Sequence, residues 1–176
     1  MTRYFLCIFT SVALFLVSGF ANSLTVYFDG ELVKTRCHLS DDDTKKKVYL
    51  SELRFSELEN QSRSPTYHFQ LDVVDCAPID LNKTIKITFN TKDIEQHNGI
   101  TYLKTTGESN VLLALTNSNN DQPVELNQPI DLTKVTESGE GSVNTLSFGV
   151  YVQKPFNQQL KTGSFSTLIT FNVDYQ

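Results

Sequence analysis

Three histidines, three cysteines and a run of three aspartates are the residues with which this chain could most readily do chemistry. His38, His68 and His97 stand in unrelated segments, and none is spaced to put two rings on one face as metal ligands. They read as solvated or strand-surface side chains. Asp41-Asp42-Asp43 could offer carboxylates to calcium, but the run lacks the alternating ligands and central Gly of a calcium loop. Lys45-Lys46-Lys47 follows at once, so the segment reads as a charged, solvated turn. No Ser sits in a Gly-flanked nucleophile motif, and no Gly-rich loop ends in a phosphate-binding Lys. A carboxylate pair for glycoside hydrolysis is defined by spatial separation, and nothing in the sequence selects one. The expectation is a protein without catalytic residues, metal or cofactor.

The cysteines acquire meaning from the N-terminus. Arg3 precedes an apolar run from Phe5 to Val17, and small residues at Gly19 and Ala21 follow. That order of charge, apolar run and small residues is a secretory signal peptide, residues 1–21, with cleavage after Ala21 and a second choice after Ser23. The run is too short for a bilayer core, which needs about 20 apolar residues, and no later stretch is long and apolar enough either. Direct membrane insertion is therefore not expected. Cys7 leaves with the signal, so Cys37 and Cys76 remain as an even pair in a chain bound for an oxidising compartment, where a disulfide is expected. Neither Cys has the close second Cys of a zinc site. The bond would close a loop of about 40 residues, for which chain entropy gives roughly 4 kcal/mol.

The mature chain has 155 residues and a net charge of −6, enough for one domain. Its acidity leaves no basic surface for nucleic acid or anionic lipid. Period-two alternation dominates: Leu24, Val26 and Phe28; Phe69, Leu71 and Val73; Ile85, Ile87 and Phe89; Val111, Leu113 and Leu115; Leu146, Phe148 and Val150; Ile169, Phe171, Val173 and Tyr175. Turn-forming residues crowd Ser40–Thr44, Thr116–Pro123 and Glu137–Ser142. Ser51–Glu59 reads as a loop or short helix. Six or seven short strands without intervening helices predict an all-β, immunoglobulin-like antiparallel sandwich, with the strand-like segment before Cys37 left without a local partner.

Several of these patterns coincide with one family. Val26-Tyr27-Phe28-Asp29-Gly30-Glu31-Leu32, with Cys37 seven residues after Gly30, resembles the N-terminal pattern of the type 1 fimbrial protein family, the subunits of chaperone–usher pili. Val48 and Leu50, then Phe69, Leu71 and Val73 running to Cys76, resemble that family's approach to the second Cys. Asn144, Leu146, Phe148 and Tyr151 resemble its next-to-last strand. Gly163, fourteenth from the end, and Tyr175, the penultimate residue, resemble the C-terminal signature.

The resemblance implies an incomplete sandwich that lacks its final strand and is completed by donor-strand complementation. Residues 22–34 would be a donor-strand extension, with Leu24, Val26, Phe28, Gly30 and Leu32 entering a neighbour's groove, and residues 35–176 the pilin domain. Gly163, Ile169, Phe171, Val173, Tyr175 and Gln176 would form the strand and terminus that a periplasmic chaperone captures and a neighbouring subunit later fills. The implied partners are that chaperone, an outer-membrane usher and neighbouring pilins. The implied location is a cell-surface fimbrium reached through the periplasm. Only fifteen residues separate Ala21 from Cys37, a length that resembles minor or tip-adaptor subunits more than rod subunits. A major rod pilin and a free exported carbohydrate-binding sandwich are the alternative readings.

Overall fold

The computed structural model describes Tyr27 and residues 37–51, 53–119 and 121–176. The chain divides at Val33/Lys34, and every element below lies in the second unit, Lys34–Gln176. In chain order these are β1 (His38–Leu39), the helix α1 (Phe55–Gln61), β2 (Tyr67–Val74), a 3-10 turn at Pro78–Asp80, β3 (Thr84–Asn90), β4 (Ile94–His97) and β5 (Ile100–Lys104). Then follow β6 (Thr106–Gly107), β7 (Leu112–Asn117), β8 (Gln122–Pro123), β9 (Pro129–Lys134), β10 (Val143–Gln153), β11 (Phe165–Ser166) and β12 (Thr170–Tyr175).

The strands form one large sheet in the order β1-β2-β10-β7-β5-β4, with β8 beside β7, and a smaller one in the order β12-β3-β9; β6 and β11 pair separately. Every strand pair among the described residues is antiparallel. The two main sheets share one core. Leu71 and Val73 of β2, Leu113 and Leu115 of β7, and Leu146, Phe148, Val150 and Val152 of β10 meet Ile85, Ile87 and Phe89 of β3. Phe148 sits at its centre, fully buried, 5.2 Å edge-on from Phe89 and 5.7 Å from Phe69. Alternate residues of each strand reach this core because side chains on a strand point to opposite faces.

Strand β7 departs from simple alternation, being buried over Leu112–Thr116. Its second face packs Leu112 and Ala114 against Tyr102, Tyr151, Ile100 and Phe156, a satellite cluster outside the large sheet. The Cys37–Cys76 disulfide is present and ties the residue before β1 to the end of β2.

Two sequence expectations are corrected. Among the described residues the strands number twelve rather than six or seven, because the β4–β5 hairpin, β9 and four two-residue strands escaped the period-two reading. The aspartate run is not uniformly solvated. Asp41 and Asp42 are exposed, but Asp43 is 2% exposed and accepts from Lys46 Nζ at 2.6 Å, Ser40 Oγ at 2.7 Å and the Asp72 amide at 2.6 Å. Burial pushes its carboxyl pKa up, but these donors outweigh that and hold it below the ordinary 3.8.

Candidate functional site

The site is the row of side chains and the backbone edge presented by β12. On one side β12 pairs along its whole length with β3: Phe171 opposite Phe89, Val173 opposite Ile87 and Tyr175 opposite Ile85. The pairing continues past the strand, since the Thr84 amide donates to Gln176 O at 2.6 Å and the Gln176 amide to Thr84 O at 3.0 Å. On its other side β12 has no neighbour among the described residues.

Burial changes abruptly across these two strands. The inward side chains of β3 are sealed, with Ile85 and Ile87 at 0% and Phe89 at 2% exposure. Those of the β12 row, Ile169, Phe171, Val173 and Tyr175, pack on the same core but stay half-exposed. Phe171 reaches Phe89 at 5.9 Å and presents the rest of its surface outward. A strand edge of this kind joins unpaired amides and carbonyls to an apolar stripe, which together form a template for another strand.

The approach to β12 is fastened to the large sheet before the chain crosses. Asn110 donates from Nδ2 to Gln159 O at 2.9 Å and accepts from the Lys161 amide at 2.9 Å. Glu108 and Ser109 amides donate to Ser164 O at 3.0 and 3.1 Å, and the Thr167 hydroxyl donates to Lys104 O at 3.0 Å. Gly163, with φ +131°, admits no side chain here: a Cβ would collide with the Cβ of Glu108 and lie 2.8 Å from its Oε2. Gly163 therefore belongs to this clasp, seven residues before β12, and not to the strand itself.

At the far end the turn after Cys76 closes the row. Asp80 is fully buried and accepts from Lys83 Nζ at 2.6 Å through Oδ1. Its neighbour on the strand is Tyr175, whose hydroxyl pKa is pushed up to about 12 by burial first, then by the charges of Asp80 and Asp174. Close by, Asn144 accepts from the Thr136 and Glu137 amides at 2.8 and 3.1 Å, donates to Glu137 O at 3.0 Å, and places Nδ2 3.5 Å from Cys76 Sγ.

Comparison with known proteins decides what this fold is. Residues 26–176 match the family described as Fimbrial protein. The chain belongs to the fimbrial protein family. It is 24% identical over 156 residues to the Major MR/P fimbria protein of Proteus mirabilis, a match that covers 86% of this chain and 83% of that protein. It is 33% identical over 66 residues, 37% of this chain and 34% of the other, to the uncharacterized fimbrial-like protein YraH of Escherichia coli. Among solved structures, a chain of a chaperone–usher pilus, from work on rod uncoiling, superposes with a TM-score of 0.65 at 20% identity. That match covers 89% of this chain and 97% of the other. The P pilus rod subunit PapA superposes with a TM-score of 0.61 at 18% identity, over 81% and 100%.

This fimbrial protein thus has the immunoglobulin-like pilin fold, a structural component of a cell-surface fibre rather than an enzyme. Among its described residues no group of His, Cys, Asp or Glu is gathered to hold a metal ion, and no helix is long and apolar enough to cross a membrane. Of the residues singled out from the sequence, Phe171, Val173 and Tyr175 lie on β12, with Ile169 just before it and Gln176 just after. Val48 and Leu50 lie in irregular backbone between β1 and α1, with only Leu50 packed on the core. The proposed donor residues Leu24, Val26, Phe28, Gly30 and Leu32 lie outside the described residues, as does the signal peptide. Sequence reasoning does not single out Asp80 or the clasp residues Glu108 and Asn110; the run Ala77-Pro78-Ile79-Asp80 after Cys76 is the one local signal for Asp80.

Proposed function

We propose that this protein is a structural subunit of a chaperone–usher fimbria that polymerises by donor-strand exchange. The observation that carries the reading is the step from sealed β3 side chains to the half-exposed row on β12, beside a strand edge with no described neighbour. In the proposed cycle a periplasmic chaperone first covers this edge and the usher then exchanges it for the extension of the next subunit. In turn Leu24, Val26, Phe28, Gly30 and Leu32 of this chain fill a neighbour's groove. Backbone pairing would supply generic affinity and alternate side chains the specificity. The short extension favours a minor or tip-adaptor position in the fibre. A major rod subunit is the alternative reading, supported by the likeness to the Major MR/P fimbria protein. The amount of this chain relative to other subunits in purified fibres separates the two.

The test compares two substitutions. Phe28→Asp should leave folding and chaperone capture intact and block assembly, because it removes roughly 1.5–3 kcal/mol of burial in a neighbour and adds a buried carboxylate. Phe171→Asp should instead lower the periplasmic level of the subunit itself. Equal destabilisation by both, or wild-type fibre incorporation of Phe28→Asp, overturns the reading. So does a monodisperse, thermally stable monomer of the mature chain with no strand supplied, which would point to a closed carbohydrate-binding sandwich.

A further inference from the structure

One buried charge in this molecule is only half satisfied. Asp80 is fully buried, and while Oδ1 receives Lys83 Nζ, its second oxygen, Oδ2, has no hydrogen-bond partner among the described residues. Buried carboxylate oxygens are normally paired, and an unpaired one is costly in a medium that water does not reach. The Tyr175 hydroxyl is near enough to feel the charge, yet does not donate to that oxygen. The turn carrying Asp80 is held rigidly. The Asp80 amide donates to Ala77 O at 2.9 Å, the Lys83 amide to Asp80 O at 3.1 Å, and the Asn82 amide to Val135 O at 2.9 Å. These bonds fix the backbone of the turn, and Lys83 Nζ holds the carboxylate through Oδ1.

Its place in the fold suggests what is missing. Asp80 lies at the end of β12 where Tyr175 faces inward and Thr84 closes the pairing with Gln176. Every strand pair described in this molecule is antiparallel, and a strand added to β12 in the same sense would begin beside Tyr175 and run towards Ile169, its N-terminal end lying past Tyr175. Four inward positions, Ile169 to Tyr175, line β12. The proposed donor row, Leu32, Gly30, Phe28, Val26 and Leu24, has five, and period two makes residue 22 the sixth. Such a strand has more inward positions than β12 offers, so residues at its leading end are left over that could extend past Tyr175 towards the turn of Asp80. After signal removal that end carries a free α-ammonium group, whatever subunit supplies it.

We propose that the Asp80 carboxylate is a receiving site for the amino terminus of the strand that fills the groove, its free Oδ2 accepting a hydrogen bond from the α-ammonium group. Lys83 holds the other oxygen and orients the carboxylate, as a positioning residue. This rests on the donor-strand reading and deepens it: apolar pockets reward the middle of the incoming strand, and Asp80 checks that its leader has been removed. A charge-assisted hydrogen bond to a buried carboxylate is among the stronger polar contacts available.

The experiment uses the mature chain refolded with an excess of synthetic peptide spanning residues 22–34, made with a free or an acetylated amino terminus. The proposal expects the free peptide to bind roughly tenfold more tightly than the acetylated one, the size of one charge-assisted bond. In the near-isosteric Asp80→Asn chain the two peptides should bind alike. Equal affinity of the two peptides for the unmodified chain overturns the proposal, and this arm needs no variant to fold. A preference for the free terminus that survives in Asp80→Asn also overturns it. Failure of both peptides to bind sinks the donor-strand reading itself, with the inference built on it.

Discussion

At the scale of single residues, two buried polar side chains fasten irregular backbone to the sheets. Asp43 gathers three donors, among them the amide of Asp72, twenty-nine positions along the chain. Asp43→Asn keeps the shape but loses the charge, and should destabilise the domain by about 2 kcal/mol in denaturant unfolding. Because the folded-state pKa is depressed, this stabilisation is full above the unfolded value and disappears as pH falls through the folded one. The gap between wild type and Asp43→Asn should thus be constant at neutral pH and close below about pH 4. Asn144 plays the matching part beside Cys76, and Asn144→Ala, which leaves three backbone groups of Thr136 and Glu137 unpartnered, should cost about 2–4 kcal/mol. The sequence showed Asp43 as one of six consecutive-looking charges; its burial depends on an amide supplied by a distant strand, which no local pattern encodes. Asn144 stood out only through its family resemblance, and the structure supplies the physical reason, a polar clamp on the loop next to the disulfide.

At the scale of elements, legibility followed how one-sided each strand is. Leu71 and Val73, Ile85 to Phe89, and Leu146 to Val150 bury one face against the core, so period two announced them. Strand β9 carries only two apolar positions after its Pro, Ile130 and Leu132, both only partly buried, and the two strands of the β4–β5 hairpin are short. The hairpin nevertheless carries a turn signal, Asn98-Gly99, whose positive φ values of 50° and 79° suit the two central residues of a tight hairpin turn. Gly99→Val places a β-branched side chain at that φ and should destabilise the domain by about 1–2 kcal/mol, although nothing lies within 4 Å of the added Cβ. A midpoint unchanged in thermal unfolding would show that the turn tolerates another geometry. For the candidate site, the pattern Ile169-Phe171-Val173-Tyr175 reveals a strand with an apolar face. That its outer edge lacks a described neighbour is a property of the sheet order, visible only once β12 is seen beside β3 alone.

At the scale of the whole molecule, the exported chain should contain one internal disulfide and no free thiol. Intact mass of the non-reduced protein should fall two hydrogens short of the reduced form, and alkylation of the native protein should label neither Cys37 nor Cys76. That bond has a mechanical meaning if the chain is drawn out along a fibre. Tension entering the domain at Cys37 passes through sulfur to Cys76 and on by way of the Pro78–Asp80 turn to β3, so β1, α1 and β2 lie on a side branch that carries no stress. The 39 peptide units between the two cysteines, about 130 Å when fully extended, cannot be paid out as slack. Single-molecule stretching of the oxidised protein should therefore yield a contour shorter by that amount than the reduced protein does. A subunit built this way can lose its fold under load and still keep about a quarter of its length in reserve, so the strand it is pulled by stays close to the sheet it must rejoin.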